Sequence, residues 1–444
     1  MEKTAAKKLH ITTYGCQMNL YDSEKITQLL EPHGFSKALT QEEADLILLN
    51  TCNIREKASE KVHSELGRIA QIKKENPKLM VVVAGCVGQA EGENIISRSP
   101  CVDIVVGPQS YHNLPELIEK AKRLKSWVVD LDFYENEKFD KIKPKLKNDQ
   151  FSAFLSVQEG CDKFCHFCIV PYTRGAEFSR PMEEIYREAL TLATSGCKEI
   201  TLLGQNVSGY HGLNLAGEVV NLTEVIKLIS QLPLERIRYT TSHPNDMVNS
   251  GLIEAHKTCD KLMPYLHLPV QSGSSKILKA MNRKHDKDFY LNLIKNFRQA
   301  RPDLAFSSDF IVGYPGETEE DFQDTLSLVE EVFYAQAYSF KYSPRPGTPG
   351  SVLKNQVPEE IKDERLQRLQ VLLRDQQLKF NQSKLGQKLK VLLEKEGKYP
   401  GQLVGKSEYL QSVVIDGANH RKGDLVEVEI TQANQNSLLG KVVS

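Results

Sequence analysis

The sequence lacks any long apolar run. The stretch Leu79 to Val83 falls far short of the roughly 20 residues a membrane-spanning helix needs, which excludes such a helix from the reading. Charge of one sign is not in excess either. Lys+Arg number 57 and Asp+Glu 58, for a net charge of −1, so a uniformly basic nucleic-acid binder is excluded, though a local basic patch is not. The start, Met1 to Lys8, is charged and has no hydrophobic region of a secretory leader. A soluble, cytoplasmic protein with no membrane partner is expected. Nine cysteines are an odd number in a chain of 444 residues without an export signal. A disulfide framework is therefore disfavoured against reduced thiols, metal ligands or catalytic thiols.

What is present is ordinary globular composition, 40% hydrophobic and 26% charged. The length suggests two or three domains at roughly 150 residues each. Residues 1–125 alternate strand-like runs (His10 to Tyr14, Leu46 to Asn50, Met80 to Ala84, Val102 to Val106) with amphipathic stretches such as Asp22 to Glu31 and Glu56 to Lys74. That order argues for an α/β domain with a parallel sheet. Residues 126–150 form a basic linker, where Lys138, Lys141, Lys143, Lys145 and Lys147 crowd around Pro144. From residue 151, strand candidates Phe154 to Val157, Glu199 to Leu203, Arg236 to Thr240, Tyr265 to Pro269, Phe306 to Val312 and Ala337 to Tyr342 alternate with helical stretches. A closed βα barrel has eight such repeats, so six predict an open, partial barrel. A charged helical stretch, Glu359 to Lys384, closes this region near residue 380. Residues 381–444 carry short strands between glycines and read as a small antiparallel β-barrel.

Two cysteine trios carry the chemistry. Cys161, Cys165 and Cys168 are spaced C-x3-C-x2-C just after the first strand of the second region, and loops at the carboxyl ends of barrel strands are where such folds place chemistry. Three thiolates on a tight loop can ligate three irons of a 4Fe-4S cluster and leave one iron open. Zinc is the alternative, with His166 as the fourth ligand, but His166 sits beside Cys165 and reaches the same ion with difficulty. The second trio is Cys16, Cys52 and Cys86. Each falls just past a strand of the first region, where open α/β sheets form their ligand crevice. Gly15 and Gly85 precede two of them and permit close backbone approach. Three buried inert thiols are the competing reading. Cys101, Cys197 and Cys259 lack such a setting and read as packing residues.

The C-x3-C-x2-C loop, with Phe167 before its last cysteine, resembles the radical S-adenosylmethionine (SAM) superfamily. Tyr14-Gly-Cys16-Gln-Met-Asn19, Asn50-Thr-Cys52-Asn-Ile-Arg55 and Ala84-Gly-Cys86-Val-Gly-Gln89 resemble the amino-terminal domain of the methylthiotransferase family within it. Arg174-Gly-Ala-Glu-Phe-Ser-Arg-Pro181 and Ser308-Asp-Phe-Ile-Val-Gly-Tyr-Pro-Gly-Glu317 resemble that family's radical-SAM core, and the carboxyl-terminal barrel is similar to a TRAM domain, an RNA-binding module. Val87 departs from a pattern in which alanine is common. The residues after Cys16 and Cys52 place the chain nearest the branch of the family that modifies tRNA.

The resemblance implies an enzyme with two 4Fe-4S clusters, one per trio, and two SAM molecules per turnover. One SAM methylates a sulfur of the auxiliary cluster held by Cys16, Cys52 and Cys86; the other yields a 5′-deoxyadenosyl radical. The implied substrate is the anticodon stem-loop of tRNA carrying N6-(dimethylallyl)adenosine beside the anticodon, methylthiolated at C2, with an electron donor as a further partner. No catalytic acid–base pair is implied. Implied SAM contacts are Phe167, Gly204, Gln205 and Asn206 after the second strand, Gln271, Ser272 and Gly273 after the fourth, and Ile311 and Gly313 at the fifth; Gly204-Gln-Asn206 replaces the Gly-Gly-Glu that many superfamily members carry. Loop geometry is the bland alternative for all of these. RNA candidates are Lys384, Lys388, Lys390, Lys395 and Lys398, with Tyr399 and Tyr409 for stacking and Arg421 and Lys422 beside them. The alternatives are a methylthiotransferase acting on threonylcarbamoyladenosine tRNA or a ribosomal protein, and a non-catalytic, cluster-bearing RNA-binding protein.

Overall fold

Strand β3 (Leu46–Thr51) shows how the first unit is built. Leu46 and Leu48 join Leu9, Ile26, Val82 and Ile104 on one face, whereas Ile47 and Leu49 join Val62, Leu66, Val81 and Val83 on the other. Successive side chains of a strand point to opposite faces, and a parallel sheet buries both. The computed structural model describes residues 7–53, 57–133, 150–417 and 419–443. The linker lysines 138, 141, 143, 145 and 147, and Ile54 and Arg55 of the second cysteine motif, lie outside the described residues.

The chain divides into two units. The first holds the described residues up to 133 together with Glu159–Asp162 and Ile169–Phe178. With β1 (Lys7–Tyr14), β2 (Phe35–Lys37), β4 (Met80–Gly85), β5 (Ile104–Val106) and β6 (Val128–Asp130), its sheet has the order β2-β1-β3-β4-β5-β6, parallel throughout. Helices α1 (Gln17–Leu30), α2 (Lys57–Glu75), α3 (Cys86–Glu91), α4 (Glu93–Arg98) and α5 (Leu114–Leu124) complete it. The strand order reverses between β1 and β3, and ligands of such sheets bind outside the carboxyl ends at that point.

The second unit holds residues 150–158, Lys163–Cys168 and the described residues from Ser179 onward. Its strand β7 (Ser152–Ser156) is followed in the chain by the short β8 (Gln158–Glu159) and β9 (Phe178–Ser179). Strands β10 (Glu199–Leu203) and β11 (Arg236–Tyr239) continue the sheet from β7, all parallel. Strands β12 (Tyr265–His267), β13 (Ala305–Val312) and β14 (Gln336–Lys341) form the second parallel trio, and a parallel bridge from Ile237 to Leu262 links the two. The six strands expected from the sequence are thus all present. Leu155, Ile200, Leu202, Ile237, Leu266 and Phe306 form one core with helix residues such as Ile185, Val225 and Phe297.

The carboxyl-terminal strands β15 (Lys388–Glu396), β16 (Gln402–Ser407), β17 (Ser412–Asp416), β18 (Leu425–Ala433) and β19 (Leu438–Val442) close into a barrel of order β15-β16-β17-β19-β18. Val391, Leu393, Val413, Ile415, Val428 and Leu438 fill it. Two buried arginines dock the barrel. Arg236 donates to the carbonyls of Lys406 (2.9 Å) and Lys390 (2.7 Å), and Arg238 to those of Glu408 (2.8 Å) and Ser407 (3.0 Å). Glu199 pairs with both guanidinium groups. Glu199 and Arg236 open their strands, so the barrel sits at the amino ends of β10 and β11.

Candidate functional site

The sheet register brings the first cysteine trio together. Tyr14 of β1 stands level with Thr51 of β3, and Thr51 level with Gly85 of β4. Cys16, Cys52 and Cys86 follow these residues directly or one position on, at the ends of three neighbouring strands, adjacent ones about 4.8 Å apart. Cys52 N–H donates to the Tyr14 carbonyl at 2.9 Å. Cys16 caps α1 and Cys86 begins α3. Cys52 and Cys86 are buried and Cys16 is half-buried, all three as free thiols. A Cβ on Gly15 would lie 2.6 Å from Cys52 Cβ. Gly85, at φ 93° and ψ −161°, occupies backbone space that is essentially glycine's alone.

A buried polar layer supports the trio. Asn19 Oδ1 accepts from Cys16 N–H and Sγ, both at 3.3 Å, and Asn19 Nδ2 donates to Asn50 Oδ1 at 3.1 Å. Asn50 Nδ2 donates to the Asn19 carbonyl (2.8 Å) and Ser23 Oγ (2.9 Å), and Tyr111 OH to Asn50 Oδ1 at 3.3 Å. Arg174 donates to Asp22 (2.7 Å) and Glu159 (2.5 Å). A hydrogen bond from Cys52 pulls the Cys16 thiol down to about 6, against its burial and helped by Arg174 and the backbone of Asn19 and Met18. A thiolate is what iron binds, so three converging thiols, one already acidic, suit a cluster. Among the described residues no three His, Cys, Asp or Glu side chains stand at the spacing of a single metal ion, whereas a cubane spreads its ligands over separate irons.

In the second trio, Cys161 N–H donates to the Gly175 carbonyl at 3.2 Å within the first unit. Cys165 and Cys168 lie in the second unit, where Cys168 N–H donates to the Cys165 carbonyl at 2.9 Å. Arg283, buried, donates from Nη1 to Cys165 Sγ at 3.6 Å and from Nη2 to the Pro269 carbonyl at 2.6 Å. His166 Nδ1 donates to the Ala280 carbonyl at 2.9 Å, which ties the ring to the helix Ser275–Ala280. Phe167 packs against Ile277, Met281, Tyr314 and Tyr342.

The residues named for SAM fall into two groups. Gly204, Gln205 and Asn206 follow β10, where Asn206 is buried and internally bonded: its N–H to Gln158 Oε1 (3.0 Å), its Nδ2 to Asp246 (2.7 Å), its Oδ1 from His243 N–H (3.2 Å). Gln271 meets β13, where Ile311 N–H donates to its carbonyl at 2.9 Å. Ser272 and Gly273 bond Thr325 Oγ1, and Gly313 N–H donates to Glu317 Oε1 at 2.8 Å. Asn206, Ser272, Gly273 and Gly313 thus hold loops in place, while Gln205 and Ile311, like Phe167, are half-buried.

Lys388, Lys390, Lys395, Lys398 and Tyr399 are exposed on the small barrel. The register sets Lys388 opposite Glu429 and Lys390 opposite Glu427, so their charge is offset across the strands. Lys384 is not on that surface. It is buried, with its ammonium 4.0 Å from the Tyr409 ring centre and 4.7 Å from that of Phe380, because the helix Glu359–Gln382 carries it under the barrel. Tyr409 is thereby half-buried, while Arg421 is exposed and Lys422 half-buried. Sequence reasoning missed Asp22, Glu159 and Arg283; charged side chains carry no local sign that they are buried. Cys197 is buried with its thiol pushed up to about 12, and Cys101 is also raised by burial, as suits packing thiols.

Three family descriptions match the chain: Uncharacterized protein family UPF0004 over residues 8–107, the Radical SAM superfamily over 155–329 and the TRAM domain over 382–443. A tRNA-2-methylthio-N(6)-dimethylallyladenosine synthase of Rickettsia rickettsii (strain Sheila Smith) is 58% identical over 99% of this chain and 100% of that protein. The one from Rickettsia canadensis (strain McKiel) is 56% identical over 98% and 99%. Among solved structures, the radical S-adenosylmethionine methyltransferase TsrM of Kitasatospora setae aligns with TM-score 0.56 at 11% identity, over 78% of this chain and 75% of that one. The cobalamin-dependent S-adenosylmethionine radical enzyme OxsB aligns with TM-score 0.52 at 13% identity over 82% of this chain, which spans 56% of OxsB. These two likenesses concern the fold.

Proposed function

Because the chain belongs to the MiaB-type methylthiotransferases of the radical SAM superfamily, we propose that it methylthiolates C2 of N6-(dimethylallyl)adenosine beside the anticodon of tRNA, as the names of its relatives describe for them. The full-length identity of 58% carries this reading. As a radical SAM enzyme it takes a 4Fe-4S cluster and SAM. We assign that cluster to Cys161, Cys165 and Cys168, and a second one to Cys16, Cys52 and Cys86, whose alignment at three strand ends supports it.

When bound, the iron–sulfur groups and SAM supply the electron, the carbon radical, the sulfur and the methyl; an adenine C2–H is not acidic, and no protein base would serve. The chain's own residues bind and orient. Asn19 fixes the Cys16 backbone, Asn50 fixes Asn19, and Gly85 lets Cys86 turn from β4 straight into α3. Arg283 holds Cys165. Gln205, Gln271 and Ile311 are the residues we assign to SAM, and Lys395, Lys398 and Tyr399 to single-stranded tRNA, by charge and stacking. The division 1–125, 126–150, 151–380 and 381–444 is kept as the functional one. Among the described residues no helix is long and apolar enough to cross a membrane; a tRNA substrate supports a cytoplasmic location. The test is mass analysis of tRNA nucleosides from a strain lacking the gene. Loss of the 2-methylthio nucleoside with accumulation of its dimethylallyl precursor is expected; an unchanged nucleoside profile would refute the assignment.

A further inference from the structure

Beneath the first cysteine trio lies a charge arrangement that thiol ligation does not require. Asp22 is fully buried on α1, the helix Cys16 caps, and Arg174 and Glu159 are 3% and 1% exposed. Arg174 ends the short helix Val170–Arg174, which packs against α3, the helix that begins at Cys86. Its guanidinium bridges Asp22 Oδ2 at 2.7 Å and Glu159 Oε1 at 2.5 Å, and its carbonyl accepts from Gln109 Nε2 at 2.8 Å. A buried ion triad is costly and is often no better for stability than apolar packing, so its retention asks for another reason.

A 4Fe-4S cluster on three thiolates is an anion, and one-electron reduction adds a further negative charge. Fixed charges nearby shift that equilibrium, a cation easing reduction and an anion opposing it. Here one cation and two carboxylates are locked in place by burial and by each other.

We propose that Arg174 is a positioning residue that, set against Asp22 and Glu159, fixes the reduction potential of the cluster held by Cys16, Cys52 and Cys86. Asp22 and Glu159 keep that potential low, and Arg174 keeps it from falling further. The proposal rests on the assignment of a cluster to this trio. It gives two substitutions at one ion pair opposite signs, which loss of structure does not.

The experiment uses the full chain with Cys161, Cys165 and Cys168 replaced by Ala, so that only the cluster of the first trio remains, reconstituted anaerobically and titrated by EPR at fixed pH 8. D22N should favour the reduced form at least tenfold, a rise of about 59 mV for one electron. R174Q should disfavour it by a similar factor, and R174K, which keeps the charge, should stay within threefold of the parent. Shifts of D22N and R174Q in the same direction, or a D22N potential equal to the parent's, overturn the proposal; if R174Q does not fold, D22N decides alone. Absence of iron from the parent overturns the cluster assignment as well, and the iron content separates that failure from failure of the charge argument.

Discussion

Substituting Gly85 by alanine tests whether the strand-end geometry builds the first trio. Gly85 has φ 93° and ψ −161°, a conformation that costs a residue with a side chain about 1–3 kcal/mol. The new Cβ would also stand 2.7 Å from Asn50 Oδ1 and 2.9 Å from Thr51 N, with Thr51 O nearer still. Those neighbours are backbone or a side chain fixed by four hydrogen bonds, so overpacking adds about 1–3 kcal/mol. The sum is about 2–6 kcal/mol, and relaxing it moves Cys86, the next residue. Urea unfolding should show that loss, and anaerobic reconstitution should give about half the wild-type iron, because the C-x3-C-x2-C trio is untouched. Gly34 is the control. Its φ is 84°, a Cβ there meets nothing within 4 Å, and G34A should cost about 1 kcal/mol and keep all the iron. Wild-type stability and full iron in G85A would refute the reasoning.

R236A should cost about 3–5 kcal/mol in urea unfolding, since it strips the Lys390 and Lys406 carbonyls of a buried donor and leaves Glu199 short of a cation; a loss under about 1 kcal/mol would mean that the barrel docks otherwise. Burial holds the His256 imidazole down to about 3, below its ordinary 6.5. The unfolded chain therefore binds the extra proton between those values, so this contribution to stability is full above pH 6.5 and falls by about 1.4 kcal/mol per pH unit as pH drops towards 3. H256Q should flatten that part of a stability–pH profile, and an unchanged slope would contradict the burial argument. Replacing Lys395 and Lys398 by Ala should reduce the salt slope of tRNA binding by about 0.7–0.9 per lost phosphate contact. The same change at Lys388 and Lys390, which face Glu429 and Glu427, should reduce it less; equal effects would show that the cross-strand glutamates do not offset them.

The repeating strands were legible because apolar runs such as Leu46 to Leu49 and Met80 to Ala84 are bounded by turn residues, and the six strands of the second unit appear within a residue or two of their expected limits. Edge strands β2 and β6 were not, since three residues are too few to show a period. The position of Cys16, Cys52 and Cys86 just past three neighbouring strands could be read because parallel strands end on the same side of their sheet. Their support could not. Asp22 and Arg174 are 152 positions apart, and each looks like a solvated charge on a helix until the fold buries both. Lys384 misled for the reverse reason: it continues a basic run in the chain, yet two aromatic rings cover it.

The sharpest division of labour between the trios is measured in one assay. The Cys16→Ala, Cys52→Ala, Cys86→Ala variant is given SAM, reductant and tRNA bearing N6-(dimethylallyl)adenosine, and both 5′-deoxyadenosine and the 2-methylthio nucleoside are quantified beside wild type. Release of 5′-deoxyadenosine without any 2-methylthio product is expected. A variant that still forms the 2-methylthio nucleoside would contradict the role given to these three cysteines.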